Sequence, residues 1–367
     1  MKIPHHLEFL LAFSISICYI IVILFKITIQ GGAMKPFRRT IFLLCAALFV
    51  LTLVSLCLGR YAVPPREMLR ILASRLFPVA QTWEAGMEAA VLNIRPPRVL
   101  LAMLVGTALS VAGAAYQGVF RNAMAAPDFL GASSGAGFGA ALAILLGLSS
   151  YLVTAAAFCF SLLTVVLVFF TARRAPGKRA ANLILAGIMV SSLCSSGTSY
   201  LKLVADPASK LPEITYWLMG SLGGKTWGDV RFALPPLLLG IVPLLLLRWR
   251  INLLTMGDDE ARAMGVDANK LRLVIVLCAT LVTAASVAIS GVIGWVGLVV
   301  PHMARRIAGN DYRRLLPVTL LLGAFFLLAA DDLCRCLLAV EIPIGILTSF
   351  LGAPFFLALM LRKEASL

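Results

Sequence analysis

Three arginines near the ends of apolar runs are the side chains in this sequence best suited to bind a charged partner. Arg95 and Arg98 flank two prolines just before an uncharged run, and Arg335 closes another run. The planar guanidinium group of arginine can donate two parallel hydrogen bonds to a carboxylate. Arginines in such places can also snorkel, which means that the stem stays in apolar surroundings and the charge reaches water. The residues alone leave both interpretations open.

A second polar stretch, MGDDEARAMGVD at residues 256–267, lies between apolar runs. Its pattern predicts a short amphipathic helix between Gly257 and Gly265, with charged side chains on one side and a small apolar ridge on the other. The charged residues are Asp258, Asp259, Glu260 and Arg262, and the ridge is formed by Ala261, Met264 and Val266. The stretch is either a solvated loop or a helix that docks on a soluble partner.

Residue patterns that would indicate an enzyme or a bound cofactor are missing from the sequence. Gly224-Lys225-Thr226 resembles the end of a phosphate-binding loop, but Met219 stands where that loop requires glycine. The eight cysteines lie almost entirely in apolar runs, and three histidines are too few for a ligand set. We therefore expect a non-catalytic chain with no metal or cofactor of its own. If ATP drives the protein, another chain hydrolyses it.

The positions of the acidic residues bear on the mechanism of transport. Asp331, Asp332 and Glu341 lie at the end of an apolar run, and no acidic residue falls in the middle of one. A buried mid-span acid would indicate a proton or ion relay. The pattern therefore argues against an ion-coupled secondary transporter, which we keep as the alternative function.

The composition requires that these residues be positioned by membrane helices. The chain of 367 residues is 60% hydrophobic and only 13% charged, with a mean hydropathy of +0.96. Soluble domains are about one-quarter charged. Ten spans are predicted at residues 40–58, 99–119, 129–148, 151–171, 183–204, 232–247, 271–290, 292–308, 315–331 and 343–361. Short surface helices are predicted at 65–77 and within 206–231.

The distribution of basic residues predicts the orientation of the ten spans. With the loop 59–98 placed outside, the inner loops carry 19 Lys and Arg against 7 Asp and Glu, and the outer loops carry 11 against 9. Cytoplasmic loops collect Lys and Arg, so both ends of the ten-span core are predicted in the cytoplasm. A further apolar run within residues 1–33 is predicted to be an extension or an extra helix.

Six stretches together resemble the FecCD permease family, the membrane subunits of importers for iron-siderophores, haem and vitamin B12. They run in family order from about residue 34 to residue 363. The stretches are RPPRVLLAMLVGTALSVAGAAYQGVFRNAMAAPDFLGASSGAG (95–137), LILAGI (183–188), YWLMGSLGGKTW (216–227), GDDEARAMGV (257–266), GVIGWVGLVVPHMARRIAGNDYRRLLP (291–317) and ADDLCRCLLAVEIPIGILTSFLGAPFF (330–356).

This resemblance implies a ten-helix bundle of the type II ABC importer kind, in a domain spanning residues 34–363. Two permease subunits, either two copies of this chain or this chain and a related permease, would enclose one path, with two cytoplasmic ATPase subunits below and a substrate-binding protein docking outside. Arg95, Arg98 and Arg335 match positions that receive glutamates of the binding protein. Residues 255–268 match the coupling helix that fits a cleft on the ATPase.

The resemblance also places the translocation path along residues 183–220, with a cytoplasmic gate just before it. The gate positions here hold Ala180, Ala181 and Asn182, near Gly187, where the vitamin B12 relative has small hydroxyl residues. The residues therefore do not establish a gate. We expect a permease in the inner or plasma membrane of a bacterium or archaeon that carries a metal chelate, with an iron-siderophore favoured over haem or cobalamin.

Overall fold

The computed structural model describes residues 37–361, except for residues 60, 62, 79, 177–178 and 339. The predicted extension or extra helix at residues 1–33 lies outside the described residues. Within the described part, all regular secondary structure is helical. This confirms the predicted all-α class.

The described part contains fifteen α-helices, which we number in chain order. They are α1 (Phe37–Cys57), α2 (Pro65–Ala73), α3 (Ala85–Ala89), α4 (Arg95–Phe120), α5 (Ala132–Leu145), α6 (Ser150–Arg174), α7 (Arg179–Val204), α8 (Lys210–Leu218), α9 (Trp227–Leu246), α10 (Arg248–Met256), α11 (Asp258–Ala263), α12 (Ala268–Ser290), α13 (Val296–Ala308), α14 (Tyr312–Cys336) and α15 (Ile344–Leu361). A π-helical turn (Ala90–Ile94) precedes α4, and a 3-10 turn (Pro127–Leu130) precedes α5.

Each of the ten predicted spans coincides with one helix, namely α1, α4 to α7, α9 and α12 to α15. Among the described helices, seven are long and apolar enough to cross a membrane. The span predicted at 292–308 begins as a helix only at Val296. Gly291 and Trp295 have φ of +69° and +70°, a left-handed conformation that interrupts the helix. Helices α2 and α8 correspond to the predicted surface helices.

Helices α4 and α14 form the centre of the bundle, and most of the residues in both helices are buried. Gly106 of α4 lies against the backbone of Gly323 in α14, and Gly113 lies against the backbone of Gly297 in α13. A Cβ atom at Gly106 or Gly113 would overlap these carbonyl groups. The small residues therefore allow the backbone contact that stabilises helix pairs in lipid.

Helices α4 and α14 run in opposite directions, which places the start of α4 beside the end of α14. We call this side of the bundle the arginine end, because it holds Arg95, Arg98 and Arg335. The opposite side, with α10 and α11, is the coupling end. The backbone N–H of Ile344 donates to Gly220 O at 2.9 Å, and that of Ser221 donates to Ser290 O at 2.7 Å. The start of α15, the turn after α8 and the end of α12 therefore meet at the arginine end.

Candidate functional site

The first candidate site is a buried cluster of charges at the arginine end, which we call the arginine cluster. It contains Arg95, Arg98, Arg335, Asp331, Asp332 and Glu341. Two prolines follow Arg95 in the first turn of α4, where the missing N–H group of proline breaks no helical hydrogen bond. The start of α4 is thereby fixed, with Arg95 and Arg98 about one helical turn apart.

Arg95 closes the end of α1 rather than facing solvent. Its Nη1 donates to Leu56 O at 2.6 Å and to Cys57 O at 3.0 Å, and its Nη2 donates to Tyr61 O. Carbonyl groups at a helix C-terminus have no intrahelical partner and carry partial negative charge. The residue is only 5% exposed, so its charge serves to join α1 to α4.

Arg98 bridges two carboxylates from different parts of the chain. Its Nη2 lies 2.9 Å from Asp331 Oδ1, and its Nη1 lies 3.0 Å from Glu341 Oε1 and 3.1 Å from Glu341 Oε2. Asp331 lies in α14, and Glu341 lies in the segment between α14 and α15. Arg98 therefore ties α4 both to the central helix and to the segment that leads into α15.

Arg335 completes the cluster from within α14. Its Nε lies 3.2 Å from Asp331 Oδ2, and its Nη2 contacts Asp332 and donates to Ser55 Oγ at 2.7 Å. Ser55 Oγ in turn donates to Asp332 Oδ1 at 2.7 Å. The cluster thus links α1, α4 and α14 through paired charges, which is the arrangement that makes buried charges tolerable in lipid.

The structure brings the three predicted arginines together and shows that each is already engaged inside the protein. Arg98 and Arg335, only 8% and 6% exposed, face the three carboxylates of the cluster, whereas Arg95 pairs with carbonyl oxygens. The snorkelling interpretation is wrong for all three, because their polar groups bond inside the protein. The side chain of Glu341 is the accessible carboxylate of the cluster, with 27% of its surface exposed.

The sequence predicts Asp331, Asp332 and Glu341 at a span end but does not pair them with arginines. One signal was available, because Asp331 and Arg335 are four residues apart, a spacing that brings side chains together on a helix. Glu341 and Ser55 carry no such signal. Their part in the cluster depends on contacts between distant segments.

The second candidate site is the short helix α11 at the coupling end. Asp258 starts α11, and its Oδ1 lies 2.7 Å from Arg272 Nη2 in α12. Gly257 and Gly265 have φ of +150° and +77°, values that favour glycine and that set the turns on both sides of the helix. Ala261 packs inward, while Asp259, Glu260, Arg262 and Met264 are exposed. The predicted short helix is therefore present, with its charged residues directed to solvent. The predicted apolar ridge is wrong for Met264, because the helix ends at Ala263 and this side chain is exposed.

A network of hydrogen bonds joins α10, which precedes α11, to the central helices. Arg305 Nη1 of α13 donates to Gln117 Oε1 of α4 at 2.5 Å, and Tyr312 Oη of α14 donates to Ala114 O of α4 at 3.0 Å. Asn252 of α10 accepts the N–H of Tyr312 at 2.9 Å. A displacement of α10 and α11 would thus reach the central helices through polar contacts.

The third candidate site is helix α7, which begins with the predicted gate positions. Ala180, Ala181 and Asn182 lie in its first turn, and Asn182 Nδ2 donates to Ala175 O at 3.0 Å and Pro176 O at 3.2 Å. Asn182 therefore closes the end of α6. Gly187 is buried against Phe129, where a Cβ atom would overlap the carbonyl oxygen.

The rest of α7 presents a broad exposed face of mixed chemistry. Leu185, Met189 and Leu193 are exposed, although α7 is among the membrane-length helices. The hydroxyl residues on this exposed surface are Ser192, Ser195, Ser196 and Ser199. Hydroxyl groups along a membrane helix are better accommodated beside water or another protein than beside lipid tails.

Comparison with known proteins identifies the family to which this bundle belongs. The model of the FecCD transport family matches residues 47–362. The chain belongs to the FecCD transport family. The molybdate import system permease protein MolB of Haemophilus influenzae is 37% identical over 90% of this chain and 98% of its own. The hemin transport system permease protein HmuU of Yersinia pestis is 44% identical over 74% of this chain and 83% of its own.

A solved structure extends this similarity to the fold. A metal-chelate type ABC transporter in an inward-facing conformation has a TM-score of 0.79 and 37% identity, over 88% of this chain and 99% of that chain. The predicted family, the permease fold and the role as the membrane-spanning subunit of an ATP-driven importer are confirmed. FecCD membership is consistent with a non-catalytic, multi-pass membrane subunit, and it lends no support to the ion-coupled alternative.

Proposed function

We propose that this FecCD permease carries a metal chelate as one of two copies that enclose a central path. Two cytoplasmic ATPase subunits and one extracytoplasmic substrate-binding protein complete the importer. The observation that carries the proposal is the placement of a docking candidate and a coupling candidate at opposite ends of one family-matched bundle. ATP and Mg²⁺ are used by the ATPase chains, and the permease binds no cofactor directly.

The arginine cluster is the docking site for carboxylates of the binding protein. Because Arg98 is already paired with Asp331 and Glu341, an incoming carboxylate can pair with it only if one of these internal carboxylates leaves. Glu341 is the carboxylate able to leave, since it is partly exposed and belongs to a segment between helices. Docking therefore proceeds by exchange of one carboxylate for another.

The exchange of carboxylates is connected to the translocation path through backbone hydrogen bonds. Three residues after Glu341, the N–H of Ile344 donates to Gly220 O at 2.9 Å, and the N–H of Gly345 donates to Met219 O at 3.1 Å. A Cβ atom at Gly223 would lie 3.1 Å from Glu341 Oε2, so this carboxylate also touches the turn after α8. Release of Glu341 would loosen both the start of α15 and the end of the path region.

Helix α7 supplies the path wall, and its exposed face is covered by the second copy. A wall of scattered hydroxyl and apolar groups holds cargo weakly, as conduction requires. The gate lies at the coupling end near Ala180, Ala181 and Asn182, and α11 transmits the closure of the ATPases to it. The coupling end faces the cytoplasm of a bacterial or archaeal cell, in accordance with the excess of basic residues in the predicted inner loops.

The cargo class is an iron chelate, with an iron-siderophore placed before haem and cobalamin. The relative HmuU is named as a hemin transport system permease, and the similar solved structure is of the metal-chelate type. The name of MolB makes molybdate the cargo to test against this proposal.

Reconstitution with the ATPase and the binding protein in liposomes tests the docking proposal. The binding protein is loaded in turn with ferric siderophore, haem, cobalamin and molybdate. The key variant is Arg98→Gln with Glu341→Gln, which removes one charge of each sign and keeps the cluster neutral. We expect binding-protein stimulation of ATP hydrolysis in wild type and its loss in this double variant. Stimulation that survives in a correctly assembled double variant contradicts docking at the cluster.

A further inference from the structure

A groove of about 620 Å³ opens between α6, α12 and the start of α7, and it adjoins the coupling end through Arg272. Its walls are apolar and include Leu162, Val166, Phe169, Phe170, Leu273 and Leu277. Val166, Phe170, Leu273 and Leu277 are exposed. Because α6 and α12 are of membrane-spanning length, these walls face the depth at which lipid tails lie.

The side chains that line the groove are basic rather than apolar at its coupling end, which we call the mouth. Arg173 of α6 and Lys270 and Arg272 of α12 line its mouth. Lys270 lies 3.8 Å from Asp267, and Arg272 lies 2.7 Å from Asp258. Arg173 has no ion pair within the described part of the chain. One positive charge is therefore left over at the mouth.

Arg272 supplies a second and independent indication of a missing ligand. It is only 7% exposed, and Asp258 occupies its Nη2. Its buried Nε has no hydrogen-bond acceptor among the described residues. A buried guanidinium N–H group without an acceptor is costly, so a rotation of the Arg272 side chain toward an anionic oxygen at the mouth would be favoured.

We propose that this groove binds an anionic phospholipid, with the phosphate at Arg173, Lys270 and Arg272 and the acyl chains along the apolar walls. Basic pockets between membrane helices on the side of the inner leaflet suit such headgroups. A free phosphate would satisfy the mouth but leave the apolar walls uncovered. A soluble partner could reach the mouth but not walls that lie within the span.

The site is joined to the coupling helix through Arg272. The same guanidinium group that would face the lipid phosphate pairs with Asp258, the first residue of α11. Lipid at the mouth would orient Arg272 and thereby hold the start of α11 in place. The proposed lipid is thus a structural ligand that stabilises the coupling end, and it does not depend on the identity of the cargo.

Native mass spectrometry of the full-length permease measures lipid retention directly. The probes are palmitoyl-oleoyl phosphatidylglycerol and the phosphatidylcholine with the same acyl chains, each with and without excess inorganic phosphate. The headgroup variant is Arg173→Gln with Lys270→Gln. Its matched control is Arg174→Gln, which removes a neighbouring exposed charge that does not line the groove. The wall variant is Val166→Trp, matched by Leu167→Trp on an exposed position outside the groove.

We expect phosphatidylglycerol to be retained in preference to phosphatidylcholine, and retention to fall about fivefold for each basic side chain removed. Val166→Trp should also release the lipid, and both control variants should keep it. Equal retention of the two lipids, or equal losses in Arg174→Gln, would overturn the site. Displacement by inorganic phosphate alone would assign the mouth to a free anion. A failure of Val166→Trp to assemble with the ATPase, with lipid retained, would assign the groove to a protein partner.

Discussion

Replacing Glu341 by glutamine is the sharpest test of carboxylate exchange at the arginine cluster. The amide keeps the shape of the side chain and removes its charge. Arg98 retains Asp331 as a partner at 2.9 Å, so the fold should persist. If Glu341 competes with a carboxylate of the binding protein, the variant should bind the loaded binding protein more tightly than wild type.

The size of the effect follows from the geometry of the Arg98–Glu341 pair. Two contacts of 3.0 Å and 3.1 Å join Nη1 to the carboxylate. Exposed ion pairs contribute about 0.2–1 kcal/mol, and hydrogen bonds to buried charged groups contribute about 1.5–3 kcal/mol. Because Glu341 is partly exposed, we assign the pair about 1 kcal/mol. This corresponds to roughly a fivefold decrease in the dissociation constant.

The assay measures the affinity of loaded binding protein for the permease–ATPase complex in nanodiscs. Glu213→Gln is the matched control, because Glu213 is an acidic residue paired with Lys210 outside the cluster. Hydrogen exchange at the amides of Ile344 and Gly345 supplies a second readout, which should rise on docking in wild type.

Three outcomes are distinguishable. Tighter binding in Glu341→Gln but not in Glu213→Gln supports exchange. Loss of docking in the neutral double variant, with Glu341→Gln unchanged, refutes exchange and leaves docking intact. If the affinity of the loaded binding protein is unchanged in both variants, the arginine cluster is not the docking site.

Three further predictions concern packing, coupling and pH. Gly113→Val should lower the free energy of unfolding of the permease by about 3 kcal/mol or more, because the new side chain overlaps the backbone of Gly297. Thermal unfolding measures this change. The control is Gly294→Ala, because no atom lies within 4 Å of a Cβ atom placed at Gly294. Asp258→Asn should weaken the bond to Arg272 and reduce transport per ATP hydrolysed, measured in liposomes against Asp259→Asn, whose side chain is exposed. The N–H groups of Lys270 and Asn269 hold the pKa of Asp267 below its usual value. The stabilisation of α12 by this cap is therefore complete at neutral pH and should be lost only as the pH falls below about 4. Asp267→Ala should lower the melting temperature at pH 7, with the difference from wild type vanishing in acid.

The helical class, the ten spans and the family could all be predicted from the sequence. Apolar runs of membrane length, such as the one after Arg98, require helices, because backbone groups in lipid must be satisfied within the segment. The motifs around Arg95, LILAGI and GDDEARAMGV occur in family order. The helix α11 was also predictable, since charged residues and alanines stand between two glycines that can end a helix.

The state of the arginines could not be predicted from their spacing. Arg95 and Arg98 are local to one another, but their partners come from residues 56–61, 331 and 341. Whether a guanidinium group is free, exposed or paired depends on which carboxylates from distant parts of the chain lie next to it in the fold. The break in the helix between Gly291 and Trp295 could not be predicted either, because a left-handed backbone conformation at tryptophan is stabilised only by tertiary packing.

Local sequence therefore determined which segments become membrane helices, because that outcome depends on hydropathy and backbone hydrogen bonds within each segment. Only the tertiary structure decided that the arginine cluster is neutral, that Glu341 is its accessible member and that one N–H group of Arg272 has no acceptor among the described residues. These properties depend on distances between groups that are far apart in the chain. Electrostatic pairing and burial are set by those distances, and apart from the four-residue spacing of Asp331 and Arg335 no local pattern encodes them.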